Sequence, residues 1–386
     1  MRRILVPFAV FLFASCAIDE AAGPDAGLRA VRVPDHSTAG GRKDVKVMTR
    51  NLYLGASLDG VIGSRSLQEA IVNATIVWAT VQASDIRGRM DRIADEIAAE
   101  QPDLVGLQEV SLWRTGPADS PAPGGGTPAT TVVYDFLDLL LRALEARGHR
   151  YVVVTASTNI DAELPILNPE TGAPAADVRM TDRDVIIARH DAQTRNAMSG
   201  NYFPRIPLTI GTAPEPQIQL LIPRGWNAVE VKSRGEWFRF VNTHLEVDTP
   251  EIFGQVQTAQ ADELRRMLMA ESLPVVLVGD INSDGQVLPP LTTASYALLR
   301  GAGFSDAWVD ARPGDPGFTS GHDENLRNPV SDPTRRIDVI FHRGAITALD
   351  AMVVGGDPAQ RTGAGVWPSD HLGVIATLRL GSSRFE

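Results

Sequence analysis

The chain reads as an α/β or α+β domain on three observations. Short β-rich runs alternate with amphipathic stretches along its length, and no internal repeat breaks that alternation. With 386 residues, 44% hydrophobic and 22% charged, it can bury a large core, which excludes a disordered chain. The elements follow in order. Residues 45–48 are a first strand, and residues 55–86 read as a surface insertion. Over 87–100, Met90, Ile93, Ala94, Ile97 and Ala98 recur at helical spacing and Pro102 closes the run, which predicts a core-facing helix. Residues 104–107 are then a buried strand. A Gly- and Pro-rich loop over 115–128 leads to a second helix with Val133, Leu137, Leu140, Leu141 and Leu144 on one face, ended by Gly148. Residues 151–155, 185–188, 228–231 and 237–241 are strands by composition. A third helix over 257–269 carries Ala261, Leu264 and Leu268 on its apolar side, and 275–278, 339–341 and 374–378 are further strands. Two more stretches rich in Pro, Gly and polar residues, 157–181 and 311–334, read as surface insertions. No boundary falls between these elements, so 44–381 is expected to be one domain.

The first fifteen residues follow the order of a secretory signal: Arg2 and Arg3, an apolar run over 4–13, then Ala14 and Ser15. The run is too short to span a bilayer. The only cysteine, Cys16, follows Phe13-Ala-Ser, which resembles the lipobox of bacterial lipoproteins with phenylalanine where leucine is usual. The plainer alternative is a signal peptide whose cleavage site contains a cysteine. Residues 16–43 lack periodicity and read as a flexible tether. An exported protein is expected, either an envelope lipoprotein or secreted, whose only contact with a membrane is an N-terminal lipid anchor. No second cysteine offers a disulfide, so stability must come from the core.

A formal net charge of -11 argues against nucleic-acid binding through a broad basic face. It leaves room for a nuclease, because a bound cation can supply positive charge locally. Acidic, amide and imidazole groups recur just after the strands: Asn51; Gln108 and Glu109; Asn242 and His244; Asp280 and Asn282. Strand interiors are apolar, whereas their ends emerge into loops that can converge on one rim. Carboxylates and imidazoles gathered there would repel and desolvate one another, and a hard divalent cation removes that penalty. Oxygen donors suit Mg²⁺, Mn²⁺ or Ca²⁺, and the lack of cysteines beyond Cys16 and of a close histidine pair argues against structural zinc. Each residue also has a plain structural reading. Asn51 and Glu109 could cap turns, Asp280 and Asn282 could be turn formers, and His244 alone could be a surface histidine. Asp338, between Ile337 and Val339, is costly to bury unpaired, and a histidine partner resolves that cost.

The blocks Met48-Thr-Arg-Asn51, Asp103-Leu-Val-Gly-Leu-Gln-Glu109, Asn242-Thr-His-Leu245, Gly279-Asp-Ile-Asn282, Arg336-Ile-Asp-Val-Ile-Phe341 and Ser369-Asp-His371 resemble the ordered motifs of the endonuclease/exonuclease/phosphatase superfamily. That superfamily includes pancreatic-type deoxyribonucleases, abasic-site endonucleases, inositol polyphosphate phosphatases and neutral sphingomyelinases. Each block alone is weak, whereas six in order, spanning about 45 to 380, are specific. The resemblance implies a four-layered α/β/β/α sandwich with two central, mostly antiparallel sheets packed face to face, and an active site at one edge. It implies a Mg²⁺-dependent hydrolase of phosphate esters, with Mn²⁺ or Ca²⁺ as alternatives. That hydrolase would be a nuclease-like phosphodiesterase working by in-line attack of water, or else a sphingomyelinase-type lipid phosphodiesterase or a phosphomonoesterase, with nucleic acid or a lipid headgroup as substrate. A monomer is expected. Glu109 would be the main metal ligand, helped by Asn51 and Asp370. Asp280 would orient or deprotonate water, and Asn282 would hold a phosphate oxygen. His244, and His371 polarised by Asp338, would neutralise charge in the transition state.

Two departures bear on substrate. Pancreatic-type deoxyribonucleases carry an arginine two positions after the metal-binding glutamate, where this chain has Ser111. They also pair the first histidine with a mid-chain glutamate. Here Asp182 or Asp184 is the candidate replacement, with Arg183 a candidate phosphate contact. Asn325 and Asn328, in the loop before the Arg-Ile-Asp strand, are candidate substrate contacts. His36, His149, His190, His322 and His342 read as surface or structural. The rival readings are a catalytically inactive surface binding module, which loss of ligands would support although none of the core set is missing, and a surface protein whose acidic cluster holds calcium structurally.

Overall fold

The central strands are apolar on both faces, so each sheet must be covered twice, and layering follows from that requirement. The computed structural model describes residues 44–119, 126–211, 217–233, 235–285 and 294–381. The expected signal peptide, tether and Cys16 lie outside the described residues. In chain order the elements are β1 (Val45–Asn51), α1 (Asp59–Ile62), α2 (Leu67–Ala83), α3 (Ile86–Glu100), β2 (Leu104–Gln108), β3 (Leu112–Gly116), β4 (Thr131–Asp135), α4 (Phe136–Ala146), β5 (Tyr151–Leu167) and β6 (Pro174–Arg189). They continue as β7 (Gln193–Asn201), β8 (Ile206–Ile210), β9 (Ile218–Ile222), β10 (Gly225–Ser233), β11 (Glu236–His244), α5 (Glu251–Met269), β12 (Val275–Asp280), α6 (Ala294–Gly301), β13 (Ser305–Asp306), α7 (Ala307–Ala311), β14 (Asp338–Arg343), β15 (Ile346–Val354) and β16 (Gly373–Leu380).

One large sheet runs β15-β16-β1-β2-β6-β3-β4, with β5 also paired to β6, a second runs β13-β14-β12-β11-β10-β7, and β8 and β9 pair as a small sheet of their own. The pairs β1–β2 and β11–β12 are parallel and the rest antiparallel. Val45 and Val47 of β1, Phe238 and Phe240 of β11 and Val276 and Val278 of β12 fill the space between the sheets. On the outer face of the first sheet Met48 and Val105 meet α2 and α3 through Trp78 and Ile93, and α4 through Leu140. On the second, Leu277 meets α5 and α6 through Leu264 and Leu299. The result is the α/β/β/α sandwich expected. A polar seam sets the two sheets against each other: Asn242 Nδ2 donates to Leu107 O at 3.0 Å, and Gln108 Nε2 donates to Asn242 Oδ1 at 2.6 Å. Gly106 permits that approach, since a Cβ there would lie 2.5 Å from Val278 Cγ2.

Several expectations change. Residues 55–86 are no loose insertion but α1 and α2, with Ser66 accepting from Glu69 N to cap α2. Val133 belongs to β4, and α4 begins only at Phe136, behind the cap of Asp135. The stretch 157–181 extends the two arms of the β5–β6 hairpin. Their alternate burial gave no apolar run to read. The strands β3, β7, β8, β9 and β15 and the helices α6 and α7 were likewise not foreseen.

Candidate active site

Strand register alone brings the chemistry to one rim. Parallel pairing sets Asn51 beside Gln108 and His244 beside Asp280, so β1, β2, β11 and β12 end on the same side. Antiparallel β14 starts there, with Asp338 opposite Asp280. Thr49 pairs with Val374, which places Asp370 and His371, just before β16, at the end of β1. On β6, Val185 pairs with Leu107, and Asp182 and Asp184 follow on toward the same end, both buried. The backbone is tuned to this convergence. Glu109 (φ 55°) and Asn282 (φ 50°) take left-handed conformations uncommon outside glycine. Gly279 is required before Asp280, because a Cβ would sit 2.0 Å from Thr243 O and φ is 150°.

Asn51 is the hub. Its Nδ2 donates to Glu109 Oε1 at 3.0 Å and to Asp280 Oδ2 at 3.1 Å, while its Oδ1 accepts from Tyr53 N at 2.8 Å. Asn51, expected among the metal ligands, here presents N–H groups to the two carboxylates, while its oxygen accepts one backbone hydrogen bond. Glu109 Oε2 accepts from Leu54 N at 2.8 Å. Asp280 Oδ1 accepts from Asn282 N at 2.9 Å, and its Oδ2 lies 3.7 Å from both His244 Nε2 and His371 Nδ1. His371 Nδ1 is 2.8 Å from Asp338 Oδ2, the pairing expected from sequence. Asn282 Nδ2 donates to Leu245 O at 3.0 Å and lies 3.2 Å from His244 Nε2. Ser369 Oγ donates to Asp370 Oδ1 at 3.2 Å.

The electrostatics are those of acidic groups crowded out of water. Burial, then the charges of Asp370 and Asp182, pushes Glu109 up to about 7. Burial, then Asp338, raises Asp280 to about 6. Burial also raises Asp182, and raises Asp184 further with the help of Asp182. His244 is held well below its ordinary value by burial, then by Arg224 and His371. Burial opposes a charge on His371, but the carboxylates of Asp338, Asp370 and Asp280 prevail and raise it well above the usual imidazole range. These donors fit a hard divalent cation: Glu109 and Asp370 offer oxygen, and their mutual repulsion is what a cation relieves. Among the described residues, two groups bring ligand atoms within 4.8 Å of one another: Asp182, Asp184 and His244, and Asp280, Asp338 and His371.

Arg183, expected at a phosphate, is turned away. Its Nε donates to Val110 O at 2.9 Å and its Nη2 to Asp135 Oδ1 at 2.6 Å, because alternation along β6 sends Asp182 and Asp184 to the rim and Arg183 to the other face. Nor do Asn325 and Asn328 join the cluster: Asn325 Oδ1 accepts from Arg327 N and Asn328 Oδ1 from Asp323 N, closing their own loop. Ser111 is buried, with its hydroxyl 3.4 Å from Glu109 O.

Three arginines were missed. Arg224 Nη1 lies 3.4 Å from both ring nitrogens of His244, and Nη2 donates to Glu246 Oε1 at 3.0 Å. Arg50, fully buried, grips the His371 carbonyl and pairs with buried Glu96 at 2.9 Å. Arg89 donates to Tyr53 O and Pro368 O, both at 2.9 Å, tying down the loops beside Asn51 and Asp370. A sequence signal existed for Arg89 and for the partner of Arg50: Arg89 and Glu96 stand on the apolar side of α3, where charge is costly without a partner.

A face-to-face sandwich whose carboxylates, amides and imidazoles meet at one rim suits a hydrolase of phosphate esters that works with a divalent metal. The model of the Endonuclease/Exonuclease/phosphatase family matches residues 80–371, and the chain belongs to that family. Solved structures share the fold. An endonuclease/exonuclease/phosphatase family protein from Leptotrichia buccalis has a TM-score of 0.51 at 16% identity, covering 86% of this chain and 99% of its own. The endonuclease/exonuclease/phosphatase from Beutenbergia cavernae has a TM-score of 0.51 at 23% identity, covering 89% of this chain and 73% of its own. A family protein from Bacteroides thetaiotaomicron has 0.51 at 17%, covering 89% and 97%. Among curated proteins, none matches this sequence.

Proposed function

We propose that the protein is a Mg²⁺-dependent phosphodiesterase that cleaves by in-line attack of water. The observation that carries this reading is the setting of Asp280: one carboxylate oxygen faces the Asn51 amide at 3.1 Å and both imidazoles at 3.7 Å. Glu109 and Asp370 would hold the ion, with Mn²⁺ or Ca²⁺ served by the same oxygen chemistry. When bound, the ion polarises a phosphate oxygen as a Lewis acid. Asp280, held ready by Asn51 and Asn282 N, orients the attacking water and accepts its proton. His371, charged because of Asp338, faces the negative charge that develops on the phosphorus oxygens. His244 stays neutral at pH 7, and a proton on Nε2 would serve the leaving oxygen. Asn282 and Arg224 bind the phosphate, and Arg224 supplies a charge that Arg183 does not.

Hydrolysis of bis-p-nitrophenyl phosphate tests the reading. Activity should require the metal, vanish with chelator and fall sharply in Asp280→Ala, whereas turnover that survives chelation sinks it. A nucleic-acid substrate and a sphingomyelinase-type lipid headgroup share this chemistry. Buried Ser111 and the charge of -11 disfavour tight duplex binding. A panel of single-stranded DNA, duplex DNA, RNA, sphingomyelin and inositol phosphates, run with wild type and Asp280→Ala, separates these. The segment over 1–16 supports export, with Cys16 as the lipid attachment point. Radiolabelled palmitate should enter the wild type and not Cys16→Ser.

A further inference from the structure

A second acidic pair lies beside the site just described, and neither of its carboxylates has a part in that mechanism. Asp182 and Asp184 are two apart on β6, so their side chains leave the same face, and both are buried. A single amide holds them together: Asn159 Nδ2 donates to Asp182 Oδ2 at 3.0 Å and to Asp184 Oδ2 at 2.9 Å. The other oxygen of each, Oδ1, is buried with no hydrogen-bond partner among the described residues. Arg224, whose charge acts on both, is already paired with Glu246 at 3.0 Å. Two buried carboxylates are thus left uncompensated, a costly arrangement unless something positive joins them.

The third member is His244. Its Nδ1 lies 4.0 Å from Asp184 Oδ1, too long for a hydrogen bond and suited to two ligands sharing one ion between them. Its Nε2 faces Asp280 Oδ2 at 3.7 Å. Nδ1 thus lies on the side of the aspartates and Nε2 on the side of Asp280, and a carboxylate beside the far ring nitrogen is the arrangement that orients a metal-bound imidazole. We propose that Asp182, Asp184 and His244 form a second divalent-cation site, distinct from the one on Glu109 and Asp370, binding Mn²⁺ or a similar ion through two carboxylate oxygens and one imidazole nitrogen. Its charge offsets that of the two aspartates.

Mn²⁺ binding to the full chain, counted by EPR of the free ion, tests this without reference to activity. Wild type should bind two ions, Glu109→Gln should lose one, and the double variant Asp182→Asn, Asp184→Asn should lose the other. Pulsed EPR adds a check that keeps the fold: bound Mn²⁺ should show a ¹⁴N coupling that His244→Gln removes and His371→Gln leaves. The proposal is overturned if the double variant binds as many ions as wild type, or if the nitrogen coupling survives His244→Gln. It is equally overturned if wild type binds a single ion that Glu109→Gln abolishes, in which case the aspartates share a proton. That last result leaves the Glu109 site, and the hydrolase reading, intact.

Discussion

Asp280 receives two amide hydrogen bonds and faces two imidazoles, yet its burial keeps it reluctant to ionise. Removing its charge should therefore uncouple activity from stability. Asp280→Asn is expected to lower kcat by about 10²- to 10⁴-fold, the range typical of a lost general base. Its melting temperature should hold or rise, because a buried carboxylate has been neutralised. His371 presents the complementary case. His371→Ala should cost about 10²- to 10³-fold in kcat, as loss of a pre-positioned donor does. Steady-state kinetics with thermal melts of both variants check the pair. A parallel loss of folding in Asp280→Asn would mark Asp280 as structural.

At the scale of elements, β1 and α3 are bound by an ion pair shut away from water: Arg50 Nε to Glu96 Oε2 at 2.9 Å, both side chains fully buried. Arg50 also holds the His371 carbonyl, so the pair links packing to the rim. Breaking a buried pair leaves an uncompensated charge. Glu96→Ala should destabilise by about 3–5 kcal/mol in denaturant unfolding. The turn after β12 is equally intolerant. Gly279→Ala forces a Cβ onto Thr243 O and should cost about 1–3 kcal/mol while displacing Asp280, so that kcat falls with stability. Elements legible in the sequence were those with a single clear period. The helix over Ile86–Glu100 showed its apolar stripe, and β12, buried on both faces, showed an unbroken apolar run. The strand β7 has no buried residue, so its sequence carries no apolar alternation, and only pairing with β10 makes it a strand.

For the whole molecule, the crowded carboxylates couple folding to pH and to metal. Without a cation, Glu109 rises from an ordinary 4.5 to about 7 and Asp280 from 3.8 to about 6. The folded state then holds protons that the unfolded chain has released. Stability from these groups is present below their unfolded values and is lost as pH rises through about 6 to 7. Raised Asp182, Asp184 and His371 act in the same direction, and lowered His244 opposes them. Chelated protein should accordingly be less stable at about pH 8 than at about pH 5 in denaturant unfolding. Saturating Mg²⁺ should erase much of that difference and, at about 100 times its Kd, add about 2.7 kcal/mol. Glu109→Gln should respond far less, and equal metal stabilisation in that variant would place the ion elsewhere.

By itself the sequence pointed, through its ordered motifs, to the family and with it the layering, and to the carboxylates, amides and imidazoles of the rim. Apolar runs must be buried, and polar residues recurring after them, as in Gly279-Asp-Ile-Asn282, mark strand ends. What it left open was decided by alternation and distance. Arg183 is turned from the site by the side of β6 it leaves, Arg224 meets His244 from the link between β9 and β10, and two aspartates far from His244 in the chain meet it only when the sheets close. Local pattern records what a residue must avoid, namely water or its absence, whereas the partner it meets across the fold is set by how the two sheets pack.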